Sequence, residues 1–251
     1  MAVSLREHLT GVLVVVDVGA VVAVGGLVEG RGTLSGAEVL LACAGDRSGA
    51  SHLAVGAQQE LRGTGQLEVA GPGDVAHRVA VSLAERVGGT VSQVMGQRLM
   101  VATSARAPEQ VPGRPRRVRA TDHALVGQWL DDFAVEALDH ERRGTKHWAK
   151  VLAEADWMPW LWEVEGRAVA LANARRTTEV SSRIGPVYTP PTQRGRGYGS
   201  AVTAAVTDAC LTLGNDRVTL FTDVTNATSN ALYARIGFQD ACAHGSWLVE
   251  L

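Results

Sequence analysis

The 251-residue chain has little cysteine, almost no lysine, few aromatic residues and almost no net charge. Its three cysteines, Cys43, Cys210 and Cys242, are odd in number, far apart and free of any C-x-x-C pair. That excludes a disulfide framework and points to a reducing, cytoplasmic setting in which they serve as small apolar residues. Metal-ligand spacing is lacking as well. His140 and His147 fall on a predicted helix with no third ligand beside them, so no metal site is expected. A net charge of −2 offers no general attraction for nucleic acid or an acidic membrane. Lysine is confined to Lys146 and Lys150 against 22 arginines, which with abundant Ala, Gly and Val suggests a GC-rich genome and says nothing about mechanism. What is present is ordinary for a folded protein. With 46% hydrophobic residues the chain is not disordered, and its length suits one large domain or two small ones.

The longest apolar run extends from Leu9 to Val28. A secretory signal needs a basic start and a small-residue cleavage site, but Arg6 is offset by Glu7 and no clear A-x-A follows. A membrane helix is opposed by Asp17, because a mid-span Asp costs about 2.5–3.5 kcal/mol while each Val or Leu returns about 0.3–0.6. Two buried strands joined by a turn at Asp17-Val18-Gly19-Ala20 fit the valine-rich flanks, and no membrane partner is expected.

Residues 29–73 are Gly-rich and show no clear elements. Val75, Val79, Leu83 and Val87 recur every four residues and predict an amphipathic helix ended by Gly88-Gly89. A strand is predicted over Val91 to Thr103. Pro108 to Arg119, with Pro112, Gly113 and Pro115, reads as an extended linker. Its arginines, Arg114, Arg116, Arg117 and Arg119, read as solvated charge rather than an anionic-ligand patch. The expected organisation is an N-terminal domain over 1–107, a linker over 108–119 and a C-terminal domain over 120–251.

Beyond the linker, Thr121 is a good N-cap for a helix striped by Leu125, Trp129, Phe133 and Ala137, and by Val126, Leu130, Ala134 and Leu138. A short helix over Thr145 to Ala155 follows. Strands are predicted at Trp160–Val164, Ala168–Ala174 and Val180–Thr189, then a helix over Tyr198–Leu213. A strand at Arg217–Asp223, a short helix at Thr228–Ile236 and closing strand structure from Phe238 complete the chain. The order α-α-β-β-β-α-β-α-β is an α+β class with a mixed sheet. Val16 to Ala23 and Val164 to Ala170 both read as strand, acidic turn, strand, which suggests that the N-terminal half is a degenerate copy of the C-terminal one.

The segment that carries chemistry is Val187-Tyr188-Thr189-Pro190-Pro191-Thr192-Gln193-Arg194-Gly195-Arg196-Gly197-Tyr198-Gly199-Ser200. A strand ends, prolines turn the chain, and a glycine loop opens directly into a helix. Glycines let backbone N–H groups approach a ligand, and a helix N-terminus adds unsatisfied donors and partial positive charge. Together they suit phosphate or pyrophosphate, with Arg194 and Arg196 adding charge. A Walker A loop is excluded by the missing Lys. A dinucleotide fingerprint is excluded by the spacing, since the third glycine, Gly199, arrives one residue early.

Arg194-Gly195-Arg196-Gly197-Tyr198-Gly199 resembles the (Q/R)-x-x-G-x-(G/A) signature of the GNAT superfamily of acyl-CoA-dependent N-acyltransferases. Asn226 to Phe238 looks like that family's N-x-x-(A/S)-x-x-(L/I)-Y-x-x-x-G-F element. The resemblance covers about residues 116–251. It implies a mixed, mostly antiparallel sheet flanked by helices, acetyl-CoA as cosubstrate, an amine acceptor, and often a homodimer. It also implies roles. Val187, Tyr188 and Thr189 match the splayed strand that pairs with the pantetheine amides, and backbone N–H groups near Val187 and Tyr188 would meet the oxyanion. Arg194, Gly195, Arg196, Gly197, Tyr198, Gly199 and Ser200 match the pyrophosphate loop. Asn226 matches a position that hydrogen-bonds the cofactor arm, and Tyr233 matches the tyrosine that protonates the departing thiolate, as a general acid should.

No residue stands out as general base; Glu163, Glu165 and Glu179 are candidates near strand ends. Trp148, Trp157, Trp160 and Trp162 read as packing rather than an acceptor pocket, while the resemblance implies that Trp129, Phe133 and Trp157 lie where acceptor choice is shaped. A non-catalytic acyl-CoA-binding or sensing module is the alternative to an enzyme, and Tyr233→Phe separates the two. The acceptor itself is not legible.

Overall fold

The computed structural model describes residues 14–17, 21–28, 38–44, 62, 65–138, 141–154 and 157–251, the first three segments as backbone only. The chain divides into two compact units, Met1–Arg98 with Asp223–Thr225 and Cys242–Leu251, and Leu99–Thr222 with Asn226–Ala241.

In the first unit the valine-rich run forms β1 (Val14–Asp17) and β2 (Val21–Val28), paired antiparallel from Val14↔Gly25 to Asp17↔Val21. The expected two strands are present, and the turn residues 18–20 lie outside the described residues. β2 pairs antiparallel with β3 (Glu38–Ala44), and β3 pairs parallel with β4 (Gln66–Pro72). Helix α1 (Gly73–Val87) follows, and Gly88 closes it at φ 72°, a left-handed conformation that glycine adopts without strain. Its face of Val75, Ala76, Val79, Ala80, Leu83 and Ala84 packs on Leu67, Val69 and Val249. Fully burying each of these larger side chains stabilises the unit by roughly 1.5–3 kcal/mol. Val249 arrives from the end of the chain, in strand β11 (Gln239–Glu250), which pairs antiparallel with β4. Strand β5 (Thr90–Ala102) follows α1 as expected.

The second unit starts with β6 (Arg114–Arg117), antiparallel to β7 (Trp157–Val164). The proline- and arginine-rich segment is therefore an ordered strand where a solvated linker was expected. Arg116 explains the order. Its guanidinium reaches Asp122 at 2.6 Å and Glu163 at 2.6 Å with all three side chains largely buried. Arg117 lies 4.5 Å above the Trp160 ring. The division between the units falls at Arg98/Leu99.

A 3-10 turn over Ala120–Asp122 leads into α2 (His123–Leu138). The Asp122 carboxylate, rather than Thr121, caps this start by accepting the Arg119 N–H at 2.8 Å. Val126, Trp129, Leu130 and Ala134 form the buried stripe, whereas Leu125 and Ala137 are exposed. Asp131, on α2, is also buried and accepts from Arg143 N, Gly144 N and Trp148 Nε1, tying α2 to the start of α3 (Thr145–Leu152). A buried carboxylate needs such donors.

β7 turns into β8 (Arg167–Thr178) through Glu165 and Gly166 at φ 50° and 76°, the backbone of a two-residue hairpin turn. β8 pairs antiparallel with β9 (Ser181–Tyr188), and β9 pairs parallel with β10 (Arg217–Asp223). A parallel pair needs a crossover, supplied by α4 (Tyr198–Thr212). Helix α5 (Ala227–Arg235) follows β10.

One sheet face packs on α4 through Ala170, Ala172, Ala174, Ile184, Val218 and Leu220. The other packs on α2 through Leu161, Leu171 and Tyr188. The run of pairings β7-β8-β9 antiparallel, β9-β10 parallel, then a helix, repeats the run β1-β2-β3 antiparallel, β3-β4 parallel, then a helix. The short echo around Val16 and Val164 thus falls on corresponding hairpins. Among the described residues no helix is long and apolar enough to cross a membrane.

Candidate functional site

The site forms where β9 leaves β10. Parallel pairing runs from Ser181↔Arg217 to Ile184↔Leu220 and stops there. On its other edge β9 stays paired, with Val187↔Ala172 and Tyr188↔Leu171, but it uses three steps from Ile184 to Val187 where β8 uses two from Ala172 to Ala174. This bulge holds Gly185 and Pro186 and bends β9 away from β10. Asn173, 1% exposed, donates from Nδ2 to the Gly185 carbonyl at 3.2 Å and pins the bulge. Beyond Ile184, the β10-facing edge of β9 therefore has no strand partner among the described residues along Val187 to Thr189.

Past Thr189 the prolines form a 3-10 turn, Pro191–Gln193, and the glycine loop enters α4. Gly197 is the N-cap residue at φ 80° with no side-chain cap, so its own side chain leaves the first N–H groups of α4 unclaimed. Gly195 is at φ 77° and has open space around it. A Cβ on Gly199 would lie 3.2 Å from Thr189 Oγ1 and 3.8 Å from Leu232 Cδ1. The end of β9, the start of α4 and helix α5 therefore meet at Gly199. Tyr198 and Ser200 are buried and anchor the loop from below.

The two loop arginines behave differently. Arg196 is exposed and makes no ion pair among the described residues. Arg194 donates from Nε to the Thr189 carbonyl at 2.9 Å and is ion-paired to Glu136 of α2. Glu136 also accepts the Tyr188 hydroxyl at 3.1 Å. Burial, then the Glu136 carboxylate, push the Tyr188 phenol up to about 12. Arg194 is thus held at the α2 side instead of lying free over the loop.

On α5, Asn226 is the N-cap: its Oδ1 accepts the Ser229 N–H at 3.0 Å. Tyr233 packs edge-on against Phe238, with ring centroids 6.1 Å apart, and its hydroxyl makes no hydrogen bond among the described residues. Burial pushes its phenol up to about 12, so it stays protonated through neutral pH.

The candidate bases separate. Glu163 receives Arg116 at 2.6 Å and Arg114 at 3.2 Å, and these guanidinium groups hold its carboxyl below the usual range. That makes it a poor proton acceptor. Glu165 and Glu179 occupy the turns at opposite ends of β8. The tryptophans are packing residues: Trp162 donates to the Pro112 carbonyl, Trp148 to Asp131, and Trp129 and Trp157 pack in the core under α2. Glu136 and Asn173 escape sequence reasoning. Glu136 sits on the exposed side of its helix, and its partners Tyr188 and Arg194 lie 52 and 58 residues away.

A mixed sheet whose parallel pair parts beside an uncapped, glycine-rich helix start defines an α+β domain suited to an extended, anionic ligand. Residues 123–238 match the Acetyltransferase (GNAT) family. The mycothiol acetyltransferase of Salinispora tropica is 34% identical over 154 residues, covering 55% of this chain and 47% of that protein. The chain thus spans about half the length of this curated relative. Among solved structures, a GCN5-related N-acetyltransferase from Sphaerobacter thermophilus aligns with 95% of this chain and 79% of its own, at a TM-score of 0.66 and 18% identity. One from Kribbella flavida covers 95% and 89% at 0.62 and 18%. A tandem GNAT protein from the clavulanic acid biosynthesis pathway covers 94% and 81% at 0.62 and 14%. At these identities the likeness is one of fold.

Proposed function

We propose that the chain is an acyltransferase that moves an acetyl group from acetyl-CoA to an amine acceptor within a ternary complex. The observation that carries this reading is the meeting at Gly199 of an unpaired strand edge, an uncapped helix start and the α5 segment bearing Tyr233. In this reading the pantetheine amides pair with the edge of β9 along Val187, Tyr188 and Thr189, as an added strand would. The N–H groups of Gly195 to Ser200 and the Arg196 guanidinium take the pyrophosphate. Asn226 caps α5 and leaves its amide NH2 for the cofactor arm.

The acceptor amine attacks the thioester carbonyl, and backbone N–H groups near Val187 and Tyr188 meet the oxyanion. Collapse of the tetrahedral intermediate breaks the C–S bond, and Tyr233 gives its proton to the thiolate. The acceptor's proton leaves to water. A mycothiol-type acceptor, suggested by the name of the relative, belongs in the acceptor screen. The N-terminal unit is proposed to be a second, degenerate copy of the fold without the R-G-x-G-x-G loop; the repeated run of strand pairings supports this.

Tyr233→Phe tests the catalytic reading. Turnover should fall by about 10²–10³-fold while acetyl-CoA affinity stays within about threefold. Unchanged turnover would remove Tyr233 as the acid. Acetyl-CoA binding without turnover of any amine would favour the non-catalytic acyl-CoA-binding module.

A further inference from the structure

The sheet face opposite α4 carries three arginines on adjacent strands. Alternation places them there: Ala174 on β8, Ser182 and Ile184 on β9, and Val218 and Leu220 on β10 are buried on the α4 side. Arg175, Arg183 and Arg217 therefore point the other way. Arg175 and Arg183 are directly paired across β8 and β9, and Thr219 lies beside Arg183 with Arg217 one strand-repeat away. Like charges facing each other across a strand pair destabilise it. Arg183 makes no ion pair with any carboxylate among the described residues, and its guanidinium lies 5.8 Å from the Phe221 ring centroid.

The position matters. Arg183 stands two residues before Gly185, about 7 Å along the strand from the bulge where β9 parts from β10. It lies on the same face as Tyr188, whose hydroxyl meets Glu136. The glycine loop, where the cofactor's phosphates are proposed to sit, follows the other end of β9. The arginines are therefore placed for the second substrate rather than for the cofactor.

We propose that Arg183, with Arg175 and Arg217, is an anion subsite for the acceptor, which is then a small amine that also bears a carboxylate or phosphate. This rests on the acetyl-transfer reading above. Guanidinium groups in this setting bind either anion by paired N–H donors, and Phe221 gives Arg183 a surface to lie against.

The test uses the full chain with coenzyme A present and matched amines: glutamate against its diamide, and glucosamine 6-phosphate against glucosamine. Calorimetric titration reads binding, and release of free thiol from acetyl-CoA reads transfer. At least one anionic amine should bind tenfold or more tighter than its neutral partner. Which pair shows the preference distinguishes carboxylate from phosphate. Arg183→Gln and Arg175→Gln should abolish the preference and raise acceptor KM, with acetyl-CoA affinity and kcat at saturation little changed. Preference for the neutral amines, absence of any preference, or preference surviving in the double variant would overturn the subsite. So would loss of retention on immobilised heparin with no change toward small amines, which would mark a surface for acidic polymers. If anionic amines bind but none is acetylated, the subsite stands and the acetyl-transfer reading fails.

Discussion

Arg194 and Arg196 flank Gly195 in the same loop, yet their surroundings predict opposite behaviour on truncation. The Arg194 guanidinium is engaged by Glu136 and by the Thr189 carbonyl, and lies 5.8 Å from the Tyr188 ring. Arg194 and Glu136 are 48% and 40% exposed, so solvent screening limits the pair to roughly 0.2–1 kcal/mol. Arg194→Ala removes that brace and should weaken acetyl-CoA binding by no more than about fivefold, or about 1 kcal/mol. Arg196 has no competing partner among the described residues, and a charge-assisted bond to phosphate contributes about 1.5–3 kcal/mol. Arg196→Ala should therefore cost about 10–100-fold in affinity. Titration calorimetry of both variants with acetyl-CoA, at two salt concentrations, measures the contrast. The Arg196 variant should also lose most of the salt dependence. Equal losses, or a larger loss for Arg194→Ala, would refute the assignment of Arg194 to the α2 side.

The loop glycines should differ too. Gly197→Ala places a Cβ 2.8 Å from Val111 Cγ2 at φ 80°, whereas Gly195→Ala meets open space at φ 77°. Both carry the left-handed penalty of about 1–2 kcal/mol, so Gly197→Ala should melt lower and bind acetyl-CoA more weakly than Gly195→Ala. Arg116→Met should lower the melting temperature by several degrees at pH 7, because Asp122 and Glu163 lose the cation they share. Both carboxyls are depressed in the fold by Arg116. Their stabilisation is therefore full above their unfolded values, about 3.9–4.3, and is lost as pH falls through the lower folded values. The gap between wild type and variant should narrow in melts at progressively lower pH, below pH 4. Finally, desolvation pushes the half-buried Tyr233 phenol up to about 12, so kcat should show no alkaline fall from this group between pH 7 and 10. A fall with a midpoint near 8, absent from Tyr233→Phe, would count against it.

Local sequence determined most of the elements. Four-residue spacing marked α1 and most of the buried stripe of α2, and Gly88 marked the end of α1. Strand β10 begins and ends where its apolar alternation does. The glycine loop was legible because its chemistry is written in consecutive residues: left-handed backbone at Gly195 and Gly197, then an immediate helix start. Tertiary structure alone decided the rest, because the groups that matter are distant in sequence. The arginines after Pro112 look solvated until β6 pairs with β7 and brings Arg116 to Glu163, 47 residues away. Arg194 looks unengaged until α2 brings Glu136 to it. Asn173 looks like any strand residue until the bulge at Gly185 presents a carbonyl to its amide. Periodicity reports which face of an element is apolar. Which charges meet across the sheet depends on pairing register, and only the folded chain sets that.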